Sequence, residues 1–409
     1  MKVWIKYLIA TFFGVVAAFL LPTDNELVLG ILFKLSDFAV HVGRYAVLPA
    51  VFFSIVLGIF ELRKNRKLLK IALDSIAVVI VTTISLSLVA LVLANFLKLT
   101  RIPIESEELV RSADLKIWQN LINIFPNSPF AAFSDGDYIF PLLVFAGFLG
   151  AAFASNEESA KSAIRVFESF SNAFSLILSF FIDFLSIFLP AIAAFWAITF
   201  RAEIARGVYT NLFILLSVSA IVLVCVIFPL ILKFIFKEEH PFAVLYGSVA
   251  GNISAFLSGD INLALGVNLR HNSANFGIPR KINSVCMPVF SVFARAGSAF
   301  VAIISFVMIF KSYSSLSLSA MDLLLLFVRT VAISFFLGAI PQGGTFAMLT
   351  LLCTLYGGGF EHAYLILNPV AFFLGAIATF IDAATANFGT YVIALKEDSV
   401  TKKGLGFFI

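Results

Sequence analysis

Apolar runs long enough to cross hydrocarbon recur along the chain, near 5–21, 43–61, 71–97, 139–154, 172–199, 210–236 and 284–310. A bilayer core about 30 Å thick takes about 20 residues of helix, so these runs predict an all-α polytopic membrane protein. Composition points the same way, with 61% hydrophobic residues, 48 phenylalanines and only 13% charged residues. A soluble domain carries about 25% charge, and this chain has too few charges to cover a globular surface with water-compatible groups. That excludes a secreted disulfide scaffold, a nucleic-acid binder and an ordinary cytosolic enzyme. The cysteines, Cys225, Cys286 and Cys353, lie in apolar runs and read as small buried hydrophobes rather than bridges.

Orientation is read from the basic loops, because short cytoplasmic loops collect Lys and Arg. The first run is followed by Asp24 and Glu26, the second by Arg63, Lys64, Arg66 and Lys67. Lys2 and Lys6 precede the first run, and Lys161, Arg165, Lys233, Lys237, Arg280, Lys281, Lys402 and Lys403 mark later loops. Both termini are therefore expected in the cytoplasm, in an integral protein of a bacterial inner membrane. The first run has Pro22 behind it and no small-residue cleavage pattern, and reads as a retained span. From 98 to 138 the chain turns polar, with Arg101, Glu105, Glu107, Glu108, Arg111, Asp114 and Lys116 ahead of turn residues, as expected of a solvated connector.

Two later stretches are broken by residues foreign to a spanning helix. Pro241 to Leu257 makes about 17 residues of helix, roughly 26 Å, before Ser258-Gly259-Asp260-Ile261-Asn262. Leu323 to Ile340 breaks at Pro341-Gln342-Gly343-Gly344 and resumes from Thr345 to Tyr356. Proline removes a donor and glycine permits turns, so each break is expected to be a hairpin tip. Non-helical backbone at membrane depth survives only where protein buries it or water lines it, and paired interruptions of this kind point to a secondary transporter's substrate site. Two kinked ordinary helices are the alternative.

At these residues the chain resembles the dicarboxylate/amino acid:cation symporter family, which includes the glutamate and archaeal aspartate transporters. Leu48-Pro49 through Gly58 resembles that family's second helix; Asn127 through Phe130, with Phe140-Pro141 and Phe148 to Gly150, resembles its fourth. His240-Pro241 through Arg270 resembles its first re-entrant hairpin, Met287-Pro288 through Ala299 its seventh helix, and Ile340 through Gly344 the second hairpin tip. The resemblance implies eight transmembrane helices plus two re-entrant helical hairpins, a glutamate-transporter-like elevator fold, and a homotrimer embedded in lipid. It divides the chain into scaffold spans one and two (1–62), transport span three (63–98), a loop with scaffold spans four and five (99–207) and a transport unit (208–409). That unit would hold span six, hairpins near 241–272 and 322–360, span seven near 282–310 and span eight near 364–398.

Departures from the family fall on its ion sites. Where sodium-coupled members read Asn-Met-Asp-Gly-Thr, this chain has Ala294-Arg295-Ala296-Gly297-Ser298, so a sodium-holding carboxylate is replaced by Ala296. An ionisable residue inside an apolar helix is expensive and marks function. Arg295 is expected either to take the electrostatic place of a cation, or to reach an aqueous cavity or pair with Asp382 or Asp260. The eighth helix is shortened around Asp382, Thr385 and Asn387, with no arginine where relatives select acidic side chains. Asp382 resembles the carboxylate that receives a substrate ammonium. Asp260 would repel a substrate carboxylate unless protonated or paired; its plain alternative is to cap the half-helix that follows.

The expected substrate contacts are therefore Ser258, Asp260, Ile261, Asn262, Ser298, Ile340, Pro341, Gln342, Gly343, Gly344, Asp382, Thr385 and Asn387, with Arg295, Asp382 and Asp260 as the charge set. Asp183 is expected at a trimer contact or hydration path, and Arg329 at the outer interface. His41, His240, His271 and His362 are dispersed, so neither a metal site nor a cofactor is expected. Catalytic triads and phosphate loops are not evident. The readings that remain are a proton-coupled or sodium-independent carrier of a small carboxylate or amino acid, a sodium symporter, and an anion channel or non-transporting protein.

Overall fold

The computed structural model describes residues 2–21, 26–96, 101–103, 117–134, 136, 138–314, 318–340 and 344–409. Its long elements are α1 (Val3–Leu20), α2 (Glu26–Tyr45), α3 (Val47–Lys64) and α4 (Leu68–Phe96), then short α5 (Ile117–Ile122), α6 (Phe140–Ser155) and α7 (Glu157–Arg206). They continue as α8 (Thr210–Val222), α9 (Phe228–Phe234), α10 (Pro241–Ser258), α11 (Ile261–Asn275), α12 (Arg280–Phe293), α13 (Ala296–Tyr313), α14 (Ala320–Phe336), α15 (Thr345–Tyr356) and α16 (Ala371–Lys396). Nine helical stretches among the described residues are long and apolar enough to cross a membrane, and they include α10 and the segment Ala320–Ala339.

The helices pack in two groups. In one, α1 and α2 lie along α7, and α3 lies between α6 and α7. In the other, α10, α12 and α13 surround α16, and α4 covers α13. The α3–α12 contact is the main seam between them. Ile303, Ile304, Met308, Ile381 and Ile393 are fully buried in the second group, so α13 and α16 form its axis. Many outward Phe, Leu and Ile side chains of α1, α4 and α7 stay exposed, as befits surfaces that meet lipid rather than water.

Two sequence readings change. The second span does not begin near 43: helix runs from Glu26, with α2 and α3 forming one stretch of 38 residues from Leu27 to Lys64. Its first half was obscured by Lys34, Asp37, His41 and Arg44, spaced three or four apart and so gathered along one helical stripe. The run at 284–310 is likewise two helices, broken at Ala294 (ψ 68) and Arg295 (ψ 37).

Charged contacts bring Lys2, Lys67, Glu238, Glu397 and Lys402 to one end of the bundle. There Lys67 and Lys70 both meet Glu397 (2.6 Å), Lys402 meets Glu238 (3.2 Å), and Lys2 Nζ donates to the Leu405 carbonyl (2.9 Å). Asp183 sits in an ion triad with Lys6 (2.8 Å) and Arg270 (3.3 Å), joining α1, α7 and α11. Arg329 donates to the Leu355 carbonyl (3.0 Å), tying α14 to α15. The three cysteines are free thiols.

Candidate functional site

The first hairpin closes by local chemistry. Gly259 ends α10 in the left-handed region (φ 62), a conformation that glycine adopts without a Cβ penalty, and its amide bonds the Ala255 carbonyl (3.0 Å). Asp260 then caps α11: its Oδ1 accepts the Asn262 amide at 2.9 Å. The Ser258 hydroxyl donates to the Ser254 carbonyl (2.6 Å) and accepts the Asp260 amide (3.1 Å). Contacts from elsewhere hold this tip, among them the Thr379 hydroxyl of α16 against the Gly259 carbonyl (3.2 Å). Trp196 of α7 donates to the Leu257 carbonyl (2.5 Å), Asn262 Nδ2 donates to the Gly136 carbonyl (3.3 Å), and Arg44 Nε meets Asp260 Oδ2 at 2.5 Å.

The second centre is the break between α12 and α13. Gly297 lets α13 approach α16 closely, since a Cβ there would meet the Ala378 carbonyl at 2.5 Å. That proximity brings the Asp382 carboxylate onto the free amides at the start of α13: Oδ1 accepts from Gly297 N (2.6 Å) and Ser298 N (3.2 Å), and Oδ2 accepts from the Ser298 hydroxyl (2.7 Å). A carboxylate on a helix N-terminus is stabilised by unpaired amides and by the helix dipole together. Asp382 is 1% exposed, and both of its oxygens accept from these donors.

Arg295, one residue before that cap, is treated differently. Its Nε is buried without a hydrogen-bond partner. Among the described residues neither Asp382 nor Asp260 lies within ion-pair distance of it, although both act on it electrostatically. Of the alternatives for Arg295, pairing with Asp382 or Asp260 is not made: one carboxylate caps α13 and the other is held by Arg44. Arg295 instead lines a cavity of about 520 Å³. The same cavity is lined by Ser258, Asp260, Ile261 and Asn262 of the first tip, by Ile340 and Gly344, and by Asp37, His41 and Arg44 of α2. A half-buried guanidinium with no ion-pair partner, at the wall of a concave site, is suited to an anion, whose two oxygens match its planar fork.

The sequence pattern of the sodium:dicarboxylate symporter family matches residues 3–395. The chain belongs to that family. It is a family of transporters, not of enzymes. Human neutral amino acid transporter A is 22% identical over 272 residues, which make up 66% of this chain and 50% of that protein. The chain thus spans about half the length of this curated relative.

In this symporter-family chain the expected contact residues fall into two sets. Ser258, Asp260, Ile261, Asn262, Ile340 and Gly344 share the cavity with Arg295. Ser298, Asp382, Thr385 and Asn387 do not line it. Thr385 donates back to Ile381 O (2.8 Å), and Asn387 Nδ2 donates to Asn268 Oδ1 (3.0 Å) and Asn252 Oδ1 (3.4 Å) in a buried amide cluster. Pro341, Gln342 and Gly343 lie outside the described residues. Among the described residues no group of three or more His, Cys, Asp and Glu side chains gathers that could hold a metal ion. The residue that sequence reasoning missed is Arg44. Its signal was present in the spacing of Asp37, His41 and Arg44, four and three apart, which puts them on one face of α2.

Proposed function

We propose that this protein is a secondary active transporter of a small carboxylate-bearing solute, an amino acid or a dicarboxylate, driven by protons or by exchange rather than by sodium. The observation that carries this reading is the Arg295 guanidinium, buried at Nε without a partner and lining the cavity together with the first hairpin tip and with Ile340 and Gly344. A substrate carboxylate would take two parallel hydrogen bonds from it. Ser258 to Asn262 and Ile340 to Gly344 would close over the solute from the two hairpins, re-entrant in a bilayer. Movement would be of the elevator kind, with α1–α3, α6 and α7 as a scaffold in a homotrimer and the remaining long helices as the moving unit. Both termini would face the cytoplasm.

Sodium is disfavoured by side-chain chemistry: Ala296 has no oxygen to offer where sodium-coupled relatives have a carboxylate. Arg295 supplies a fixed positive charge at the same break, in the electrostatic place of an ion. Asp382 balances that charge from α16. When a substrate anion neutralises Arg295, a proton arriving on Asp382 Oδ2, with the Ser298 hydroxyl turning from donor to acceptor, would restore neutrality, which gives symport of an anion with a proton.

The second reading, a sodium-coupled symporter of acidic or neutral amino acids, draws on the name of the human relative. Uptake by the purified protein in liposomes separates them, with labelled L-aspartate, L-serine and succinate and with sodium and proton gradients imposed separately. Accumulation under a proton gradient alone, or bare exchange, is the expected result. Accumulation that requires sodium would overturn the coupling proposed here, and a substrate-independent conductance would identify an anion channel on this fold.

A further inference from the structure

The cavity holds two arginines, Arg44 and Arg295, and two carboxylates, Asp37 and Asp260, of which Asp260 by charge alone would pair with either arginine. Asp260 lines the same cavity as Arg295, acts on it electrostatically and has a side chain only 10% exposed. In surroundings of low dielectric an unheld carboxylate would move to an unpartnered guanidinium and cancel it. It is held elsewhere: Oδ2 meets Arg44 Nε (2.5 Å) while Oδ1 accepts the Asn262 amide (2.9 Å). Arg44 stands on α2, which packs along α7, whereas Asp260 stands on the hairpin packed against α16. The other charged groups of α2 at the cavity, Asp37 and His41, face each other at 3.5 Å and are largely exposed.

We infer that Arg44 is a positioning residue for substrate recognition: it holds Asp260 away from Arg295 and so keeps Arg295 available to an anion only while the first hairpin tip lies against α2. Trp196 and Gly136 hold the tip in the same place through the Leu257 carbonyl and the Asn262 side chain. When the tip leaves α2, Asp260 loses Arg44 and turns to Arg295, and the bound anion is displaced. Affinity is thereby tied to position, high against α2 and low away from it, with no bound ion needed to carry the difference. This rests on the reading of the cavity as a carboxylate site.

Equilibrium binding of labelled L-aspartate, L-serine and succinate to the purified full-length protein tests it. In Arg44→Met, Asp260 is freed to quench Arg295, and affinity for whichever probe the wild type binds falls about tenfold or more, the scale of one charged hydrogen bond. Asp260→Asn removes the quencher and binds at least as tightly as wild type. The double variant Arg44→Met/Asp260→Asn recovers to within about threefold of wild type, less than the worth of one hydrogen bond. A brace with no electrostatic role gives the opposite pattern, since all three variants break the same bridge and weaken binding alike; that result overturns the inference. Asp260→Asn and the double variant decide the matter even if Arg44→Met does not fold. Wild type that binds carboxylates, with Arg44→Met unchanged, overturns this inference alone, whereas wild type that binds none of the probes overturns the carboxylate reading and this inference with it.

Discussion

Asp382 and Arg295 flank one helix break and carry opposite charges, yet the fold treats them in opposite ways. Asp382 accepts three hydrogen bonds from Gly297 and Ser298 at the head of α13. Arg295 has no side-chain partner among the described residues, and its Nε is buried. A buried charge with both oxygens met helps to build the architecture. One whose Nε is left unmet while the rest of the group faces a cavity costs some stability, which a ligand in the cavity would offset. The difference separates what builds the break from what uses it.

Arg295→Met breaks that comparison most sharply. Loss of a bidentate charged contact is expected to weaken carboxylate binding by about 100-fold or more, the worth of two charged hydrogen bonds. Thermal stability in detergent should hold or rise, because no internal partner is abandoned. A fall in melting temperature with unchanged binding would mean that Arg295 is structural after all. Asp382→Asn should do the reverse in the stability assay, placing an amide donor against the α13 amides and costing about 2–4 kcal/mol. Ser298→Ala removes one of the three donors to Asp382 and should cost about 1–2 kcal/mol by the same assay; no change would show that the two backbone amides suffice.

The smallest expected effect is a control at the far end of the bundle, where charges are partnered in the ordinary way. Hydrogen bonds from Lys67 and Lys70 hold the Glu397 carboxyl below the usual range. Burial pushes Glu238 up, but bonds from the His240 amide, Lys402 and Tyr391 outweigh it and leave its carboxyl low. A depressed carboxylate pKa contributes stability that is fully present above the unfolded value, near 4.5, and is lost as pH falls through the folded one. Melting temperature should therefore be flat from neutral pH down to about 5 and decline below about 4, and Glu397→Gln should cost about 1 kcal/mol or less. A decline that begins near neutrality would point to other groups.

How far the site was legible depended on range. Gly259 and Asp260 announced a turn and a cap, and both conformations form there because each is satisfied by neighbours within a few residues. The break at Ala294 and Arg295 was invisible, since Ala-Arg-Ala is a good helix-forming run. It exists because Asp382 arrives to cap the second half. Helix α2 was half hidden because its polar stripe interrupts the hydropathy on which a span is read, although that stripe is where the cavity collects Asp37, His41 and Arg44.

The sequence by itself determined the membrane class, the position of most apolar runs, and the first hairpin tip, because hydropathy, glycine and capping act within a turn or two of chain. Only the tertiary structure decided which charges meet. Arg44 and Asp260 are 216 residues apart, and Asp382 and Gly297 are 85 apart. A buried charge takes whatever partner packing delivers within about 3–4 Å, and no local pattern records that delivery.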